Sequence, residues 1–365
     1  MKKLRHSPFL LRLLFLLSFV LTATFQSSSA ETLSQDSKLV LIKTITGDIR
    51  PKSVASSNGL ISAHNMMYRH SITLYNAENM ELLATIPDRV DLSKLGFAGY
   101  LGTHQGAPVE GAFSPDNKYL YVTNYAMYGN GFIKEGHDVC TPRSGYDRSF
   151  LYRINLSTYS IDAAYKVGTV PKVVKVTPDN KYVLVSNWCS YDLYVIDIET
   201  QKTIKVIKIG PYPRGIVVSK DSRYAFIAQM GGSVIHQIDL QTFSDRTLTI
   251  GANPRSLVLS PDQNIIYATL NKSGQVVAFD RIQNKVIKSV KTGAATRSLD
   301  ISTDGTALFV VNFNSGTVSK IRTSDFKILQ TIKVCEQPIG VTFESTKQRT
   351  WVACYLGAIK VFDNI

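Results

Sequence analysis

Short apolar runs alternate with turn residues along nearly the whole chain. The segment from Arg214 shows the pattern. "RGIVVS" (Arg214–Ser219) is apolar and β-branched, and "KDSR" follows it as a turn. "YAFIAQ" (Tyr224–Gln229) is a second run, "GG" breaks it, and "SVIHQIDL" (Ser233–Leu240) is a third. "QTFSD" turns again before "RTLTIG" (Arg246–Gly251). Runs of this length between Gly, Asp and Ser clusters predict four short β-strands. No stretch carries a convincing 3.6-residue period, so helices are not expected.

The pattern recurs. Units open at Pro51, Pro108, Pro171, Pro213, Pro254, Thr296 and Pro338, and the last four steps are 42, 41, 42 and 42 residues. A strand-rich period near forty predicts propeller blades, here seven. The phrase "SPDNKYLYVTNY" (Ser114–Tyr125) returns as "TPDNKYVLVSNW", "SKDSRYAFIAQM", "SPDQNIIYATLN" and "STDGTALFVVNF". Its first half suits a tight turn between the first two strands of a blade. Its second half supplies aromatic and β-branched packing between blades. The chain ends on a third strand, "GAIKVFDNI", while "SKLVLIKTITG" (Ser37–Gly47) matches the fourth-strand pattern of "QKTIKVIKIG". The N-terminal strand is therefore expected to complete the last blade and remove the open edge. The fold class is all-β: a single seven-bladed propeller of four-stranded antiparallel blades spanning 31–365.

The run Tyr121-Val122-Thr123-Asn124 is literally "YVTN". From about Ser37 to Ile365 the chain resembles the YVTN-repeat β-propellers, common in exported and cell-surface prokaryotic proteins. The resemblance implies the fold. Related propellers include binding and surface-layer modules, sugar lactonases, an antibiotic lyase and redox-enzyme subunits, so fold alone does not name an activity.

Residues 1–30 read as a secretory signal peptide: a cationic "MKKLRH", an apolar core and a small-residue "SSSA" before Ala30. No later segment is long and apolar enough to cross a bilayer. Loss of the leader, with Lys2, Lys3, Arg5 and Arg12, takes the net charge from +13 to +9. The remaining excess favours acidic partners. A periplasmic or extracellular location is expected.

Topology gathers the unusual residues on one face, here called the top. The residue after each opener is Lys52, Val109, Lys172, Arg214, Arg255, Arg297 or Ile339, cationic in five of seven units. Like charges around a channel mouth repel unless an anion sits among them. Guanidinium groups suit carboxylate and phosphate. The competing reading pairs each cation with an acid of a neighbouring blade. Second strands end on Asn65, Asn124, Asn187, Gln229, Leu270, Asn312 or Cys354. Of these, Asn124, Asn187 and Asn312 are candidate ligand-binding groups with Trp188, although carboxamides also tie down loops. Tyr125, Tyr128, Trp188, Tyr191, Phe313 and Tyr355 add rings that suit sugars, bases or protein surfaces.

Two Gly- and Tyr-rich insertions, at about 89–107 and 126–148, fall on the same face and are expected to lid the mouth. Glu110 stands at the start of the second inner strand. With His104 or His64 it forms a candidate acid–base pair. His137-Asp138 beside Cys140 is a sparse metal pattern, and neither metal nor cofactor is assigned. Four cysteines allow three pairings. Position narrows them to Cys140–Cys189, which would pin the second insertion, and Cys335–Cys354, which would fasten the last blade.

These features predict an exported binding module whose cationic, aromatic mouth takes an acidic ligand: an anionic glycan, single-stranded nucleic acid, a carboxylate or a protein surface. The alternatives are a lyase or lactonase-type enzyme using a Glu/His pair, and an envelope component whose cations are all paired internally.

Overall fold

In the computed structural model, which describes residues 37–365, seven antiparallel sheets follow one another along the chain. The leader expected over 1–30 lies outside the described residues. Blade 4 is typical: Pro213–Val218 innermost, then Tyr224–Gln229, Val234–Asp239 and, outermost, Asp245–Thr249. Blades 3, 5 and 6 repeat this plan from Pro171, Pro254 and Thr296. Each inner strand packs on the inner strand of the next blade, from Ser53–Ser57 of blade 1 round to Pro338–Glu344 of blade 7 and back to blade 1.

The seam closes as the strand pattern predicts. Leu39–Ile45 pairs antiparallel with Ala358–Asn364, from Leu39 opposite Asn364 to Ile45 opposite Ile359. The first described strand is thus the outer strand of blade 7, and the ring has no free edge at the join.

Apolar side chains fill the gaps between blades. Phe226, Ala228 and Ile235 of blade 4 pack with Leu257, Ile266 and Ala268 of blade 5 in one cluster. Trp351, Tyr121, Tyr152, Phe150 and Phe226 are the largest buried rings. A blade has two apolar faces and cannot cover both alone, so neighbours stabilise one another.

The turn phrase has one job in five blades. Ser114, Thr177, Ser219, Ser260 and Ser302 each donate a hydroxyl hydrogen bond of 2.5–2.6 Å to the Asp two residues on. The next residue after that Asp has positive φ: Asn117, Asn180, Ser222, Gln263 and Gly305. These turns lie at the bottom of the ring.

Blade 2 departs from the four-strand plan. The first insertion adds a fifth strand, Arg89–Asp91, paired with Thr103–Gln105 at the start of a long inner strand, Thr103–Phe113. The chain doubles back on the lengthened strand, and a short 3₁₀ turn, Leu92–Leu95, fills the connection.

Candidate functional site: a cationic mouth

A repeated backbone device aims the cations. The residue before each opener in blades 3 to 7 has positive φ: Val170, Tyr212, Asn253, Ala295 and Gln337. A β-branched residue such as Val170 adopts this conformation only under constraint. The reason is a hydrogen bond. Val170 O accepts from Trp188 N, Tyr212 O from Met230 N, and Ala295 O from Phe313 N, at 3.0–3.1 Å. Inner strands then slip register just past the opener, between Pro171 and Val174, Pro213 and Ile216, Pro254 and Leu257, and Thr296 and Leu299. Lys172, Arg214, Arg255 and Arg297 sit in these bulges, which turn a side chain out of the ladder. With Lys52 they converge at the top of the central channel, a cavity of about 580 Å³ whose lining includes Arg214, Arg255, Arg297 and Glu110.

Most of these cations rest on rings. Lys172 Nζ lies 4.3 Å from the Tyr125 centroid and 5.4 Å from that of Trp188. Arg214 is 6.0 Å from Trp188, Arg297 3.4 Å from Phe313, and Lys52 5.2 Å from Tyr355. Arg255 has no such ring; its Nη1 lies 3.7 Å from Met230 Sδ. The π faces offset part of the desolvation of each charge. They do not neutralise it.

Two acids reach the ring. Asp138 Oδ1 accepts a 2.6 Å hydrogen bond from Lys172 Nζ. Glu110 Oε1 lies 3.9 Å from Arg214 Nη2. Lys52, Arg255 and Arg297 have no carboxylate at ion-pair distance among the described residues, and Arg297 Nε is buried without a hydrogen-bond partner. Asp138 pairs with Lys172 of the neighbouring blade and Glu110 reaches Arg214 two blades away, so acids of other blades account for two of the five cations.

Electrostatics record the crowding. Burial pushes the Lys52 ammonium well below its usual range, and Arg214, Lys172, Arg255 and Arg297 push it further. Burial lowers Lys172 to about 7 against the pull of Asp138. Arg255 is lowered by burial and by Arg214 and Arg297; Arg297 falls to about 10 from burial and Arg214. Burial opposes charge on Asp138 too, but Lys172, Arg214 and Lys52 together outweigh it and hold the carboxyl low. For Glu110, burial prevails over Arg214, Lys52, Arg255 and Lys175 and raises the carboxyl.

The second insertion delivers Asp138. The Cys140–Cys189 disulfide, with Cα atoms 5.5 Å apart, ties it to blade 3. Trp188 Nε1 donates to Asp138 O at 2.9 Å, and Tyr125 Oη donates to Asp138 Oδ1 at 3.3 Å. Cys335–Cys354 is likewise formed, with Cα atoms 6.2 Å apart. The first insertion does something else. Its Phe97 and Tyr100 stack into a cluster with Phe132, Phe150 and His104 within blade 2. Only the second insertion places an acid among the cations.

The carboxamides do not face the channel. Asn124, Asn187 and Asn312 are fully buried. Asn124 Nδ2 donates to Phe150 O, Asn187 joins Gly168 N to Asp192, and Asn312 joins Thr292 and Thr296 to Thr317 and Ser319. They fasten blade tops from inside, so among the candidate binding residues these three offer no atom to a ligand in the cavity. The candidate histidines have other hydrogen-bond partners. His64 is buried with Nδ1 on Ser53 Oγ at 2.7 Å, and burial lowers its pKa to about 3. His104 Nε2 contacts Asn130 O at 2.8 Å inside the insertion cluster. Neither is hydrogen-bonded to Glu110. The acid that matters most, Asp138, was legible only as a neighbour of Cys140; the expected Cys140–Cys189 link is the signal that places it beside Trp188 and Lys172.

Residues 143–298 match the family model described as YNCE-like beta-propeller. No curated protein sequence matches the chain. Among solved structures, hydrazine synthase of Kuenenia stuttgartiensis superposes with a TM-score of 0.67 at 15% identity, over 85% of this chain and 94% of that one. At that identity the likeness concerns fold alone. Taken with the closed ring of seven blades, the match over 143–298 supports the likeness to the YVTN-type β-propellers.

Proposed function

We propose that this protein is an exported binding module whose channel mouth takes up an anionic group of its ligand. One observation carries the reading: three buried or half-buried cations, Lys52, Arg255 and Arg297, crowd together at the channel mouth, the two arginines lining its cavity, without a carboxylate partner among the described residues. Such an arrangement costs desolvation and mutual repulsion. An anion bridging Arg255 and Arg297 offsets both, in water-poor surroundings where charge-assisted hydrogen bonds are strong. Asp138 already does this for Lys172 from within the chain. Two disulfides, and the lack of any helix among the described residues long and apolar enough to span a membrane, are compatible with export.

Calorimetric titration with citrate at rising sodium chloride tests the reading. Affinity is expected to fall steeply between low and physiological salt, since the sites are cationic. Heat independent of salt, or no heat at all, contradicts it.

A further inference from the structure

The exposed apolar side chains are unevenly placed. The most exposed are Ile133 at 94%, Tyr68 at 82%, Ile282 at 78%, Val139 at 75%, Ile365 at 71% and Leu101 at 64%. Ile282 lies in a bottom turn and Ile365 ends the chain. The other four stand on top-face loops. Tyr68 is between the second and third strands of blade 1, Leu101 is on the first insertion, and Ile133 and Val139 are on the second. Leu356, 51% exposed, joins them from the matching loop of blade 7. Val139 directly follows Asp138, and Tyr68 rises near Tyr355, the ring beneath Lys52. Apolar groups collected on one rim mark a surface that something covers.

The cations inside that rim are recessed. Lys172 is 3% exposed, Arg214 5% and Arg255 9%. A nucleic acid backbone lying across the rim needs cations on the surface and open ring faces for its bases. Here the faces of Tyr125 and Phe313 carry Lys172 and Arg297. A small free anion would enter the mouth but leave the collar uncovered. A flexible acidic side chain or a chain terminus reaches a recessed cation, and its apolar neighbours then meet the rim.

We propose that the top face docks an acidic peptide segment of a protein partner. Its carboxylates enter the mouth toward Arg255 and Arg297, and its apolar side chains rest on the collar of Tyr68, Leu101, Ile133, Val139 and Leu356. This rests on the anion uptake proposed above and adds the class of partner.

The test is fluorescence anisotropy of the purified protein with three labelled probes: an octapeptide alternating leucine and glutamate, octaglutamate, and octathymidylate. The leucine–glutamate peptide should bind about tenfold more tightly than octaglutamate despite carrying half its side-chain charge, because burying apolar side chains adds affinity. The exposed-site variant Ile133→Ser/Val139→Ser should erase that advantage without changing octaglutamate binding. Equal binding of the two peptides, unaffected by this variant, overturns the peptide proposal and leaves anion uptake standing. Tighter binding of octathymidylate also overturns it, in favour of nucleic acid. Failure of all three probes, with wild type and Arg255→Met/Arg297→Met alike, overturns both.

Discussion

Two sets of repeated residues mark the two ends of this ring, and they differ in one respect. At the bottom, one carboxylate oxygen of each Asp in the turn phrase accepts hydrogen bonds from its own turn, although Asp304 Oδ2 is buried without a partner. Asp304 accepts from Ser302 Oγ, Thr306 N and Thr306 Oγ1, and Asp262 accepts from Ser260 Oγ and Asn264 N. At the top, cations recur in five blades, yet among the described residues only Lys172 and Arg214 find a carboxylate. Repetition therefore does not separate shape from chemistry. Satisfaction does: a repeated group whose partners lie in its own turn builds the fold, whereas one left facing a cavity is available to something else.

The largest effect that would break this contrast concerns the top. Replacing both arginines, Arg255→Met/Arg297→Met, should weaken citrate binding by about a hundredfold, each lost charge-assisted contact contributing on the order of 1.5 kcal/mol. Calorimetry measures it. The same variant should melt no lower than the wild type, since it also removes like-charge repulsion. A lower melting point with unchanged binding would make the arginines structural.

The bottom should answer in the opposite way. Asp304→Ala removes acceptors for three hydrogen bonds and should cost about 1–2 kcal/mol in urea unfolding. Citrate affinity should not change. Asp138→Asn sharpens the comparison from within the mouth. It weakens the one close ion pair there and frees Lys172, so anion affinity should rise about fivefold at some loss of stability.

A smaller effect follows from Lys172, whose ammonium burial holds near 7. The bound anion favours the protonated form, and that form is lost as pH rises through about 7. Affinity for citrate should then fall about threefold between pH 6 and pH 8, and Lys172→Met should flatten the profile.

Much of this was legible in the sequence for identifiable reasons. Blade number followed from a fixed period, and the closing strand from its likeness to "QKTIKVIKIG". Both disulfides followed from where cysteines fall in the blade plan. The convergence of Lys52, Lys172, Arg214, Arg255 and Arg297 was legible because one repeat position maps to one place on the ring. The carboxamides misled because Asn at a strand end has the same sequence signature whether its amide faces solvent or, as for Asn187, closes a loop from inside. The fifth strand of blade 2 was hidden because Arg89–Asp91 is too short to carry a period. The role of Asp138 was hidden because it depends on a tertiary contact that only the Cys140–Cys189 link brings about.

A crystal structure grown with citrate tests anion uptake at the mouth. A citrate carboxylate is expected in the channel mouth, within hydrogen-bond distance of Arg255 and Arg297. A mouth without citrate, with those arginines turned instead onto protein carboxylates, would contradict it.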